Sequence, residues 1–108
     1  MNLQTEIFGD VIVLHTPEEL GAEQCDVFEA HVQSLERHNV VLDLDATETL
    51  DSKGLISLLI VQDKLRDAGG EAKIATTNLN NRKILELTRL DQQLEVFDSV
   101  VDAVKSYQ

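Results

Sequence analysis

"VVLDLDATETLDSKGLISLL", residues 40–59, changes period partway along. Val40, Leu42 and Leu44 alternate with Val41, Asp43 and Asp45, the period of two expected of a strand with one apolar face. Beyond Ser52 the apolar residues crowd together over Leu55–Val61, interrupted by Ser57, and the segment runs on to Gly69-Gly70, a good helix stop. A strand, a short polar loop and a helix follow one another, the building unit of a parallel sheet.

The loop raises a chemical question, because Asp51, Ser52, Lys53 and Gly54 stand directly against the apolar run. Ser52 in that position reads as an N-cap, worth ~1 kcal/mol. Glycine in a first helical turn costs roughly 1 kcal/mol relative to alanine, so Gly54 implies a need for bare backbone, usually the close approach of another molecule. A hydroxyl at a helix N-terminus can also carry a phosphate without unfolding the helix, since the unpaired N–H groups and the helix dipole favour negative charge there. Ser52 is therefore a candidate cap and a candidate switch.

Working outward toward the N-terminus, "LQTEIF" (3–8) alternates as a strand, Gly9-Asp10 is a two-residue hairpin signal, and "VIVLH" (11–15) is a second, more buried strand. Thr16, Pro17 and Glu19 spell a capping box, predicting a helix from there to about Arg37 with Phe28, Val32 and Leu35 on one face. His31 reads as a residue of that helix surface, and Cys25 falls mid-helix with nothing to lower its thiol pKa. Toward the C-terminus, "AKIATT" (72–77) is a strand, 81–90 a helix, "LEVF" (94–97) a short strand and 98–107 a closing helix capped by Asp98.

The order β-β-α-β-α-β-α-β-α predicts a single α/β domain spanning 1–108. Its sheet is mixed and mostly parallel, with four or five strands and right-handed crossovers. Asp43, Asp45, Lys73 and Glu95 recur at alternate strand positions, so the helices should lie mainly on one face and leave the other partly wet.

Composition narrows the function. At 108 residues the chain can bury one core, and 43% apolar content with one proline is that of an ordinary globular domain. Twenty acids against nine bases, a net charge of −11, argue against nucleic acid or an anionic membrane as partner. No apolar run is long enough to span a bilayer, and no secretory signal is apparent. A lone cysteine suits a reducing cytoplasm. No metal or cofactor motif and no recognised catalytic arrangement is present, so the expectation is not an enzyme.

One enzymatic alternative can be stated. Asp43-x-Asp45-x-Thr47 after an apolar strand resembles the first motif of haloacid-dehalogenase-type phosphatases, and Thr76 and Thr77 end the next strand, where that family places a hydroxyl. Such a site also needs a lysine and further acids to hold magnesium. Only about sixty residues follow Thr47, with no Asp-Asp or Gly-Asp pair after a later strand.

Residues 40–59 resemble the core of STAS domains, the bacterial anti-sigma factor antagonists, in which a strand and short loop lead to Asp-Ser-x-Gly-Leu at the head of a helix. The resemblance continues through "GGEAKIATTN" and "NRKILELTRLDQQLEVFDSVVDAV" and covers about residues 3–106. It implies a protein-binding switch. Ser52 would be the phosphoacceptor, Asp51 and Gly54 would shape its turn, and Lys53, Leu55 and Ile56 would border the partner. The implied partners are an anti-sigma factor serine kinase of histidine-kinase-like fold and a serine phosphatase that resets Ser52. The unmodified form would bind the kinase and free the sigma factor. The family's usual Gly-x-Leu/Ile-Asp turn after the second strand is replaced here by "HTPEEL" (15–20), and Lys53 occupies a position often held by a small residue. Other STAS domains are structural subunits of signalling or transport assemblies, and on that reading Ser52 is only a cap.

Overall fold

Gly9, at φ 62°, makes the tight turn between β1 (Thr5–Phe8) and β2 (Val11–His15), which pair antiparallel. The computed structural model describes residues 3–108. From β2 the chain passes a two-residue strand, β3 (Glu19–Leu20), and enters α1 (Cys25–Gln33). Then follow β4 (Asn39–Asp43), another two-residue strand β5 (Thr49–Leu50), α2 (Ser52–Asp67), β6 (Glu71–Ala75) and α3 (Leu79–Leu87). A 3-10 turn at Leu90–Gln92, β7 (Val96–Phe97) and α4 (Val100–Lys105) complete the fold. The five-stranded sheet has the order β1-β2-β4-β6-β7, parallel except for β1, while β3 and β5 form a separate parallel pair.

Alternation along the strands divides the core in two. Leu14, Val40, Leu42, Ala72 and Ile74 face Phe28 and Val32 of α1, Leu58, Val61 and Leu65 of α2, and Leu85 of α3. Val11, Val13, Val41 and Ala75 face the other way, against Ala103 of α4. Three helices thus share one face, as expected, but α4 covers part of the face read as wet. Lys73 is accordingly buried, its Nζ 2.8 Å from Ser106 Oγ and 4.2 Å from the Tyr107 ring centroid. Lysine stems lie readily along apolar surface while the charged head finds polar partners. Glu95 and Asp45 do stay exposed.

Several helix boundaries differ from those predicted. The capping box at Thr16 starts no helix. Its hydroxyl donates instead to the Asp43 carbonyl at 3.0 Å, and Leu20 is fully buried, drawing the chain into β3 before α1 begins nine residues later. Tertiary contacts here override a local cap signal. Cys25 consequently stands at the first position of α1, not mid-helix, and α1 ends at Gln33 with Leu35 beyond it. α3 begins at Leu79 because Asn78 caps it, accepting from the amides of Asn80 and Asn81. α4 is capped by Ser99, while Asp98 pairs with Arg82.

Candidate functional site

The loops following β2, β4 and β6 gather at one end of the sheet, and α2 starts there. Asp51, in extended conformation, is the N-cap: its Oδ1 accepts from the Gly54 amide at 2.9 Å. The capping role read onto Ser52 therefore belongs to its neighbour. Ser52 is the first helical residue, exposed, and among the described residues its hydroxyl has no hydrogen-bond partner. Lys53 is exposed beside it, Leu55 is half-buried against the core, and Ile56 is 55% exposed.

Gly54 needs its bare backbone, but for a reason internal to the fold. A Cβ there would stand 2.0 Å from the Leu20 carbonyl oxygen and 3.0 Å from Leu50 Cδ1. The helix head is thus pressed against the β3–β5 pair. Cys25 adds a tie, its Sγ 3.0 Å from the Gly21 carbonyl and 3.4 Å from that of Lys53. Burial pushes its thiol pKa up, away from nucleophilic character.

The loop before Ser52 is pinned from both sides. The Thr16 and Thr47 hydroxyls lie 2.5 Å apart, and Thr47 Oγ1 donates to the Pro17 carbonyl. Asn81 Nδ2 donates to the carbonyls of Thr47, at 2.8 Å, and Leu44, at 3.3 Å. The reading from sequence missed these supports. In the sequence Thr47 stands out only as the end of the Asp43-x-Asp45-x-Thr47 pattern, and the only hint of Asn81 is its place in the asparagine-rich "NLNN" at 78–81. Around this platform Glu18, Glu19, Glu48 and Asp51 are exposed, and Lys53 is the single base in the segments 16–20 and 47–54. The surface is acidic, and the apolar side chain of Ile56 stands out from it.

Asp43 and Asp45 are engaged by their own chain. Asp43 Oδ1 accepts from the Asp45 amide, and Asp45 Oδ1 accepts from the Thr77 amide and hydroxyl at 2.6 and 3.2 Å. Among the described residues no group of three or more His, Cys, Asp or Glu side chains is arranged so that it could hold a metal ion. Among them, too, no helix is long and apolar enough to cross a membrane.

His15 joins β1 to this end of the sheet. Its Nδ1 lies 2.8 Å from Asp43 Oδ2 and its Nε2 2.8 Å from Glu6 Oε1. When the ring is protonated, each nitrogen donates to one of the two carboxylates. The bond to Glu6 chiefly, and that to Asp43, raise the imidazole pKa against the opposing effect of burial. A raised folded-state pKa gives stability that is complete below the unfolded value, about 6.5, and is lost as pH rises through the folded value. We expect the stability advantage of the parent over His15→Gln to be larger at about pH 6 than at about pH 9. Urea midpoints at the two pH values measure this, and an equal advantage at both contradicts it.

Comparison with known proteins agrees with this architecture. The family model for the STAS domain matches residues 2–103. A protein of Thermotoga maritima named as a candidate anti-sigma factor antagonist is 25% identical over 104 residues, 93% of this chain and 92% of its own. The crystal structure of an anti-sigma factor antagonist from Mycobacterium paratuberculosis superposes with a TM-score of 0.85 at 23% identity, over 97% of this chain and 92% of that one. The Bacillus cell fate determinant SpoIIAA in its phosphorylated form gives 0.73 at 14% identity, over 99% and 100%. Between these structures and the present one the likeness is one of fold.

Proposed function

This chain belongs to the STAS domain family, and from that premise we propose that it is an anti-sigma factor antagonist switched by phosphorylation of Ser52. Unmodified, it binds an anti-sigma factor that is also a serine kinase, releasing the sigma factor. Phosphorylated, it lets go, and a serine phosphatase restores it. The kinship with proteins so named supports the binding role.

The observation that carries the switch is the exposed Ser52 hydroxyl at the first position of α2, without a hydrogen-bond partner among the described residues. A phosphate there adds about −1.5 to −2 charge without removing a structural contact, because Asp51 supplies the cap. First-turn amides lack helical acceptors and tolerate the added charge. Within an interface the same charge is desolvated on a surface that is already acidic. Asp51, Lys53, Gly54, Leu55 and Ile56 complete the proposed contact region, with Gly54 acting from beneath by setting the height of the helix head.

The test is to incubate the chain with ATP and its cognate anti-sigma factor and map the modification by peptide mass spectrometry. Phosphate on Ser52, absent in Ser52→Ala, is the expected result. Binding without any modification contradicts the switch and favours the scaffold reading; modification at another residue, such as the exposed Thr49, moves the acceptor.

A further inference from the structure

The sheet's two edges are unlike. β7 offers two residues, whereas β1 offers four, all exposed. Exposed edges are usually blunted by proline, lysine, a bulge or covering structure. "TEIF" has neither proline nor lysine and pairs in regular register with β2. It presents apolar side chains on both faces, Ile7 at 60% exposure and Phe8 at 46%.

The hydrogen-bond pattern says which backbone groups are unspent. His15 N–H donates to the Gln4 carbonyl, which makes Gln4 and His15 a hydrogen-bonded pair. Antiparallel pairs alternate, so Gln4, Glu6 and Phe8 direct their peptide groups toward β2. Thr5 and Ile7 direct theirs outward, to the open edge.

From this we infer that two copies of the chain join antiparallel along β1, with Ile7 opposite its own counterpart on a two-fold axis, forming one ten-stranded sheet. This register gives Ile7 N–H and C=O reciprocal partners and sets Thr5 opposite Gly9. It pairs the Ile7 side chains on one face, and on the other it sets Glu6 opposite Phe8 of the second copy.

Charge selects a second copy as the occupant. Phe8 shares a shallow depression with Val101, Val104 and Lys105, on the α4 face of the sheet. Glu6 pairs with Val13 and Phe8 with Val11, which places both side chains on that same face. The register therefore brings Glu6 of each copy toward the depression holding Lys105 of the other, an acid against a base twice over by symmetry. Glu6 is also the only charged residue of β1, and its carboxylate lies 2.8 Å from His15 Nε2. At about 0.15 M salt the net charge of each copy is screened beyond about 8 Å.

Sedimentation velocity over a concentration series, on the full chain, tests this. The parent is expected to pass from monomer to dimer as concentration rises. Ile7→Lys puts like charges directly opposite and should weaken association about tenfold or more. Ile7→Pro removes an outward N–H that the β1–β2 ladder does not use, and should do the same. Lys105→Glu should also weaken it. Should Ile7→Pro fail to fold, Ile7→Lys carries the test, since that side chain is already exposed. A parent that remains monomeric to about 1 mM overturns the proposal and leaves the edge to a foreign strand. A dimer indifferent to both Ile7 variants overturns it as well, by placing the interface elsewhere. Neither result bears on Ser52, so this inference and the switch fail separately.

Discussion

Gly54→Ala is expected to destabilise the domain by about 2 kcal/mol or more, lowering its melting temperature by about 8–16 °C. In an exposed helical turn the same change would stabilise by about 1 kcal/mol, so the sign itself is diagnostic. The added methyl would meet the Leu20 carbonyl oxygen at 2.0 Å. Neither side can yield cheaply: β3 is held by β5 and by the burial of Leu20, and α2 by Leu58, Val61 and Leu65 in the core. Thermal unfolding followed by circular dichroism measures the loss. An unchanged or higher melting temperature would show that β3 moves aside freely and that the crossing is not a constraint.

Ser52→Asp is expected to leave the melting curve within about 0.5 kcal/mol of the parent while weakening binding to the anti-sigma factor about tenfold to a hundredfold. The stability half follows from Asp51 holding the cap, together with the favourable place of a carboxylate in a first helical turn. The binding half follows from leaving a charge unpaired in an interface, which costs on the order of 2–5 kcal/mol for a fully desolvated group. A carboxylate has less charge and bulk than a phosphate, so its effect falls toward the low end. Ser52→Ala should melt and bind like the parent, because no cap is lost. Calorimetric titration of the three proteins against the anti-sigma factor decides the matter, and equal affinities for all of them would refute the switch.

The βα alternation and the order of the main elements could be read from the chain because each rests on a local signal. Gly9-Asp10 marks the hairpin, Val40-Val41-Leu42 the central strand, and Gly69-Gly70 the end of α2. What escaped depended on residues distant in sequence. Thr16, Pro17 and Glu19 carry every local mark of a helix start, yet Thr16 is taken by Asp43 and Thr47, about thirty positions away. β3 and β5 are two residues each, too short to show a period. Lys73 reads as a solvated residue until Tyr107 and Ser106 close over it. At the candidate site the need for bare backbone at Gly54 was visible, but the carbonyl requiring it comes from Leu20, which no spacing rule connects to it.

The clamp that Thr47, Asn81 and Leu20 place on the loop has a consequence for recognition. A loop pinned at both ends has already surrendered its conformational freedom in folding, so little remains to be lost when a partner docks. Whatever binds beside Ser52 meets a preformed relief rather than a pliable strand. Its choice of target then depends on shape held by distant parts of the chain, more than on the letters "DSKG" themselves.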